Sequence, residues 1–448
     1  MKQKNRQVRS SIIGGKEYNK ICITITKEVA TMWRRNTKSI IIKIILLVLS
    51  LVLIAGLALA VKTVRGREEA QDAELMELYN QQQAQQQQAR QDSLEEIQKA
   101  YEQDMATLER YLPGIVCWGD MLTGGTAGGV SYPTELQTLI NKNVCDLYDF
   151  RSTVKNADDF NNRVNWDEYV MEIPVVNMGT GRESADTVLG RSGAIPYVTA
   201  SDIVIPADCE GVALTLRSAE GATVWPLSES DIGVNDVTIA GIGGTLSTAA
   251  GFTLQEPKYI FTRTEAGDET AVPAGEPIVT SGSGLYRDYI PVIFVGSFDG
   301  EESPETLVEK ISVLLAQQED PSRYVVIGTY YKGSVNRGQL LTSTAAAELE
   351  SAMSQAFGEH YINLRKYLVN ECLNDLSMKP TGTDNNNMTK GTVPASLLSK
   401  ENGIELIPSA YKCLGRLVYD RLVSLGYLDE VVEELGITNF GRSDRNAK

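Results

Sequence analysis

The chain has 448 residues, 42% of them hydrophobic, which is enough for a sizeable core and for more than one domain. Its formal charge of −16 is unevenly placed, since residues 1–43 hold 11 Lys and Arg against 2 Asp and Glu and the remainder holds 31 against 56. An acidic body argues against a nucleic-acid partner, and six scattered cysteines (Cys22, Cys117, Cys145, Cys209, Cys372, Cys413) with a single histidine argue against zinc and suggest no other metal or cofactor.

Residues 1–38 are basic and polar and read as a cytoplasmic tail. From 44 to 61 no residue is charged, and with 40–42 across Lys43 the apolar stretch approaches the ~20 residues that span a bilayer. We therefore place a transmembrane signal anchor at 39–61. The basic excess before it predicts a cytoplasmic amino terminus and a single-pass plasma-membrane protein with its carboxyl-terminal domain extracellular. Ala58-Leu59-Ala60 also resembles a signal-peptide cleavage site, but the long basic region and long apolar run favour an uncleaved anchor.

A helical stalk is expected over 62–112, because 68–112 contains neither Pro nor Gly and is rich in Ala, Gln, Glu and Leu. Leu94, Ile97, Tyr101, Met105, Leu108 and Leu112 recur at three- and four-residue spacing. Such a stripe fits a coiled-coil homodimer, or a spacer helix whose last turns pack on the following domain; the shortage of clean heptads favours the spacer.

Over 113–194, β-like runs (114–118, 172–177) alternate with helical patterns (134–148, 182–193), which predicts a parallel sheet with crossover helices. From 195 to 289 the pattern changes to short β-branched runs (202–205, 211–216, 236–239, 258–264, 277–280) between Gly, Asp and Ser turns, which reads as an inserted β-rich lobe. The α/β pattern resumes over 290–430. It predicts strands at 290–296, 324–328 and 361–363, helices at 304–317, 344–357 and 409–425, and a surface loop at 378–388. Cys117 and Cys413 sit on core-like stretches, and residues 431–448 read as a tail.

The strand at 114–118 runs into Gly119-Asp120-Met121-Leu122-Thr123 and then a glycine-rich loop (Gly124, Gly125, Gly128, Gly129). That loop lacks the Lys-Ser/Thr of a phosphate-binding loop and reads as turn chemistry. The block resembles the first block, Gly-Asp-Ser-Leu-Thr, of the GDSL or SGNH hydrolase family, and the resemblance covers roughly 113–428. It implies an α/β fold of three layers around a parallel, flavodoxin-like sheet, and a serine esterase or acetylhydrolase acting on acylated carbohydrate or lipid.

At four blocks this chain departs from the family's pattern. The nucleophilic serine falls on Met121, whose thioether cannot act in that role. In Asn177-Met178-Gly179-Thr180-Gly181-Arg182, the family's oxyanion glycine falls on Arg182, although a shift of one residue would restore Gly181. In Gly296-Ser297-Phe298-Asp299, the oxyanion asparagine falls on Phe298, which donates no hydrogen bond. In Asn402-Gly403-Ile404-Glu405-Leu406, Asn402 and Glu405 stand for the aspartate and histidine. The candidate pocket is thus Asp120, Met121, Gly179, Arg182, Phe298 and Glu405, with an ion pair expected between Arg182 and Glu405. Ser131 reads as a helix cap, Ser184 lies near the relevant loops, and His360 reads as an ordinary edge residue.

Three functions remain in view: a non-catalytic membrane-tethered domain that binds cell-surface glycan or a surface protein, an extracellular esterase with a replacement nucleophile such as Ser131 or Ser184, and a structural spacer.

Overall fold

The computed structural model describes residues 40–441, apart from 156, 161–163, 219–220, 222–223, 225–231, 250–257 and 334–337. The expected cytoplasmic tail therefore lies outside the described residues. The chain divides into two units, residues 1–95 and 96–448. Helix α1 (Ile40–Tyr111) supplies everything described of the first. It is long and apolar enough to cross a membrane. Its apolar side chains, Leu49, Val52, Leu53 and Leu59 among them, are exposed, as expected of a helix without a polar face over this stretch. The last turns of α1 belong to the second unit, where Ile97, Leu108 and the following Leu112 are buried.

The second unit is built on five parallel strands: β1 (Ile115–Gly119), β2 (Val175–Gly179), β3 (Ile290–Phe294), β4 (Val325–Ile327) and β5 (Tyr361–Ile362), in the order β2-β1-β3-β4-β5. Every residue of β1 is buried, which is why it reads as a continuous apolar run and not an alternating one. Alternation survives in which way the side chains point. Ile115, Cys117, Val292, Phe294, Val325 and Ile327 enter one core, and Val116, Trp118, Ile293, Val295 and Val326 enter another.

Helices cover both faces. The short α2 (Met121–Gly124) follows β1 directly, and α3 (Tyr132–Asn143) packs Leu136 and Ile140 into the first core. Opposite it, α4 (Ala185–Ser192), α5 (Pro304–Leu315) and α6 (Ser343–Phe357) bury Val188, Leu189, Leu307, Ile311, Met353 and Phe357 in the second core. Towards the carboxyl terminus come α7 (Leu364–Asn370), α8 (Cys372–Asp375), α9 (Gly382–Thr389) and α10 (Pro408–Ser424), and α10 returns Tyr411, Leu414, Val418 and Leu422 to the first core. The result is a three-layer α/β arrangement.

Between α4 and β3 stands the β lobe. Its larger sheet has seven antiparallel strands, among them Tyr197–Thr199, Ile242–Thr248 and Tyr259–Arg263, and it closes over its own core of Tyr197, Val237, Ile239, Tyr259 and Phe261.

Two expectations need correction. Residues 378–388 were expected to form a loop, yet α9 lies there because Thr381 and Asp384 make a capping box that satisfies its first amides. Residues 431–448 were expected to form a tail, yet Val431, Leu435 and Ile437 are buried in the first core. The first segment is polar and offers no apolar period, whereas the second carries a short one in Val431, Val432 and Leu435 that the sequence reading passed over.

One buried ion pair joins these parts. Arg191, fully buried near the end of α4, places Nη2 2.6 Å from Glu183 Oε2 and donates from Nη2 to Met178 O (2.7 Å) at the end of β2 and from Nη1 to Ile232 O (3.1 Å). Its guanidinium also lies 5.2 Å from the centroid of the Trp118 ring on β1. Removing one partner of such a pair leaves a charge in the core, whereas replacing both with apolar groups is far milder. We expect Arg191→Met to lower stability by about 3–5 kcal/mol in chemical denaturation. The double variant Arg191→Met/Glu183→Leu should recover most of that loss. A single variant within about 1 kcal/mol of the parent would mean that the pair is not structural in this sense.

Candidate functional site

In a parallel sheet of this order the connection after β1 runs to β2 on one side, and the connection after its other neighbour β3 runs the opposite way to β4. The crevice at the carboxyl edge beside β1 is where such sheets bind ligands. Asp120 and Met121 stand there, directly after β1. Thr180 to Arg182 follow β2, Gly296 to Asp299 follow β3, and Tyr330 and Tyr331 lie past the end of β4.

Two glycines in register, Gly119 and Gly179, bring β1 and β2 together at this edge. A Cβ on Gly179 would lie 2.3 Å from Gly124 N and 2.5 Å from Thr123 Cβ, so only glycine lets α2 fold back over β2. Asp120 starts that helix by accepting from Leu122 N at 2.7 Å. The Asp120 carboxyl is fully buried, and burial holds it well above the usual carboxylate range, with the charges of Asp299 and Glu183 adding to the shift.

Met121 is partly buried against the first core, and its amide donates to Gly181 O at 2.5 Å. Gly181 has φ of +51°, a left-handed turn that favours glycine, and it directs its carbonyl at Met121. Phe298 is buried, its ring centroid 5.6 Å from that of Tyr331. Asn402 is exposed, and its Oδ1 accepts from Ile404 N and Glu405 N, both at 3.0 Å, so it closes the turn that presents Glu405.

Asp120, Arg182, Phe298 and Glu405 lie round two adjacent tyrosines, Tyr330 and Tyr331. The Tyr331 hydroxyl is raised by burial and lowered by the charge of Arg182. The Tyr330 hydroxyl is raised well above its usual value by burial, with Tyr411, Asp120 and Glu405 adding to the rise. Tyr330 donates to Ile404 O at 2.7 Å, which ties the Glu405 turn to the end of β4. The expected pairing of Arg182 with Glu405 does not appear among the ion pairs between described residues.

The other candidates lie in structural roles. Ser131 caps α3, accepting from Thr134 N at 3.3 Å, and Ser184 caps α4, accepting from Thr187 N at 3.4 Å. His360 comes immediately before β5, at the amino edge of the sheet. Its Nδ1 lies 3.1 Å from Tyr324 O and 2.8 Å from Tyr427 Oη, and its ring stacks on Tyr324 at 4.2 Å.

Sequence reading passed over the charged groups beneath the crevice. Glu183 stands ahead of the α4 cap and Arg191 near the helix end, and Asp299 enters the sequence only as the last residue of the block around Phe298. Asp299 Oδ1 accepts from Ala185 N at 2.7 Å at the start of α4, while its Oδ2 is buried. Burial pushes this carboxyl to about 7, the Ala185 amide and Lys310 opposing the shift and the charges of Glu302 and Asp186 adding to it.

Compared with protein-family models, curated proteins and solved structures, the chain matches none.

A raised carboxyl has a definite sign in stability. Between the unfolded value near ~4 and about 7 the folded chain holds a proton on Asp299 that the unfolded chain has lost. Its contribution is therefore complete below pH ~4 and disappears as pH rises through about 7. Thermal unfolding of the parent and of Asp299→Asn from pH 4 to 8 should show a smaller decline in the variant, which keeps the Oδ1 acceptor without the titration. Equal slopes would sink the assignment.

Proposed function

We propose that the chain is a membrane-anchored domain with the frame of an SGNH or GDSL hydrolase and no hydrolase chemistry, held outside the cell to bind a surface glycan or a surface protein. The observation that carries this reading is the separation of groups at the sheet's two edges. The family's serine position, two residues after β1, holds Met121, and the chain's one histidine, His360, stands at the amino edge of the same sheet. Acyl transfer through serine needs a nucleophile, a base within hydrogen-bond reach and oxyanion donors. A thioether, a buried phenyl ring at 298 and a carboxylate at 405 supply none of the three in the family's arrangement. Retained architecture without retained chemistry is consistent with a binding role, since fold and activity are separable.

The anchor supports the same reading. An apolar helix preceded by basic residues is consistent, by the positive-inside rule, with an acidic domain outside the cell.

The test uses the full-length protein in detergent with p-nitrophenyl acetate and butyrate. We expect no turnover above buffer from the parent, and none from Met121→Ser, because the family's histidine base and its oxyanion asparagine would still be missing. Turnover by the parent that is abolished in Ser131→Ala or Ser184→Ala would overturn the reading. Protease treatment of intact cells should remove the domain while sparing an amino-terminal tag; loss of the tag alone would reverse the orientation.

A further inference from the structure

The amino edge of the sheet carries a groove of its own, at the opposite end of the strands from the crevice. It lies wholly within the second unit, between the last turns of α1, Pro113 ahead of β1, α3, and the approach to β2 at Pro174, and it encloses about 720 Å³. Pro174 O accepts from Ile115 N at 2.9 Å, which ties the two strand starts together beside it.

Much of the polar lining is already occupied. Gln137 on α3 accepts from Val175 N at 2.7 Å and donates to Ile173 O (3.0 Å) and Asn141 Oδ1 (2.8 Å), and the Tyr101 hydroxyl donates to Val170 O. The Tyr101 ring stands edge-to-face with Phe150 and with Tyr169, its centroid 5.2 Å from each of theirs. Two kinds of surface are left for a ligand. One is apolar, made by Met105, Leu108, Ile173 and Val170; at 52% exposure, Val170 is one of the few large apolar side chains of the second unit left open to solvent. The other is the set of exposed carboxylates Glu109, Glu168 and Glu172. No Lys or Arg is among the described residues that line the groove, and none of the three glutamates enters an ion pair between described residues.

We propose that this groove docks a basic peptide segment of a partner protein, its lysine or arginine stems lying along the apolar wall and their cationic heads meeting the three carboxylates. Such side chains carry an apolar stem and a charged tip, which is the division the groove presents in reverse. Three like charges on one rim repel each other, and a cation between them relieves that repulsion while it selects the partner. A neutral sugar chain suits the groove less well. Its hydroxyls need partners once buried, and here the Gln137 amide is spent on the backbone and on Asn141 while the one lining aromatic ring is packed against two others. The inference rests on the groove alone, so turnover of p-nitrophenyl esters at the crevice would leave it standing.

The test titrates full-length protein in a nonionic detergent into a fluorescent acetyl-Lys-Leu-Lys-Val-Lys amide and follows anisotropy. We expect saturable binding that weakens as salt rises, and none with the Gln-Leu-Gln-Val-Gln counterpart. Glu109→Gln, Glu168→Gln and Glu172→Gln should each weaken binding roughly two- to fivefold, and the three together roughly ten- to hundredfold. Val170→Ser should weaken it by a factor that salt does not change. All four positions are exposed, so thermal unfolding of each variant should match the parent. Reversal of the three charges to lysine should transfer binding to a Glu-Leu-Glu-Val-Glu peptide, a gain that a folding defect cannot imitate. The proposal is overturned by a parent that binds neither peptide or both equally, by a triple glutamine variant with undiminished affinity, or by displacement of the peptide with a neutral tetrasaccharide of N-acetylglucosamine.

Discussion

The contact between Arg191 and Glu183 is where the pieces of the second unit meet. Its guanidinium reaches the Met178 carbonyl near the end of β2, the face of Trp118 on β1 and the backbone of the β lobe at Ile232. An arginine suits this place because its planar fork can satisfy several acceptors at once while lying over an aromatic ring. An isolated charge there would be costly, so the carboxylate eight residues earlier is part of the same device. The crevice beside β1 takes its shape from this arrangement, with Gly119 and Gly179 allowing the strands and α2 to approach above it.

Around that support, the carboxyl edge is lined by groups that pack and cap. Asp120 holds the first turn of α2, Asp299 holds the first amide of α4, and Tyr330 holds the turn that carries Glu405. Buried carboxyl groups with raised values resemble the tuned acids of active sites. Here each has a backbone amide to receive, which is a structural occupation. The proposed binding role follows from that contrast, and it leaves the β lobe and the acidic exterior as faces on which a partner could be recognised.

The extent to which the site was legible depended on local pattern. The block from Gly119 to Thr123 could be picked out because a strand, a tight turn and a helix start are encoded by adjacent residues. The same is true of Ser131, whose place before Tyr132-Pro133-Thr134 marks a helix cap. Glu183 with Arg191 and Asp299 with Ala185 carry no such mark. The first links the residue ahead of the α4 cap to the end of the same helix, and the second joins residues 114 apart whose elements meet only after the sheet has formed.

By itself, the sequence determined the apolar helix near the amino terminus, the alternation of strands and helices on either side of a β-rich insert, and the identity of the residues at the four family-like blocks. These follow from hydrophobic period and turn chemistry, which act over a few residues. Only the tertiary structure decided that the strands order themselves β2-β1-β3-β4-β5, that α9 and the segment after 430 join the folded body, and that His360 stands at the opposite edge of the sheet from Met121. Strand order is set by which crossovers bury both faces of the sheet at once, and that is a property of the whole chain.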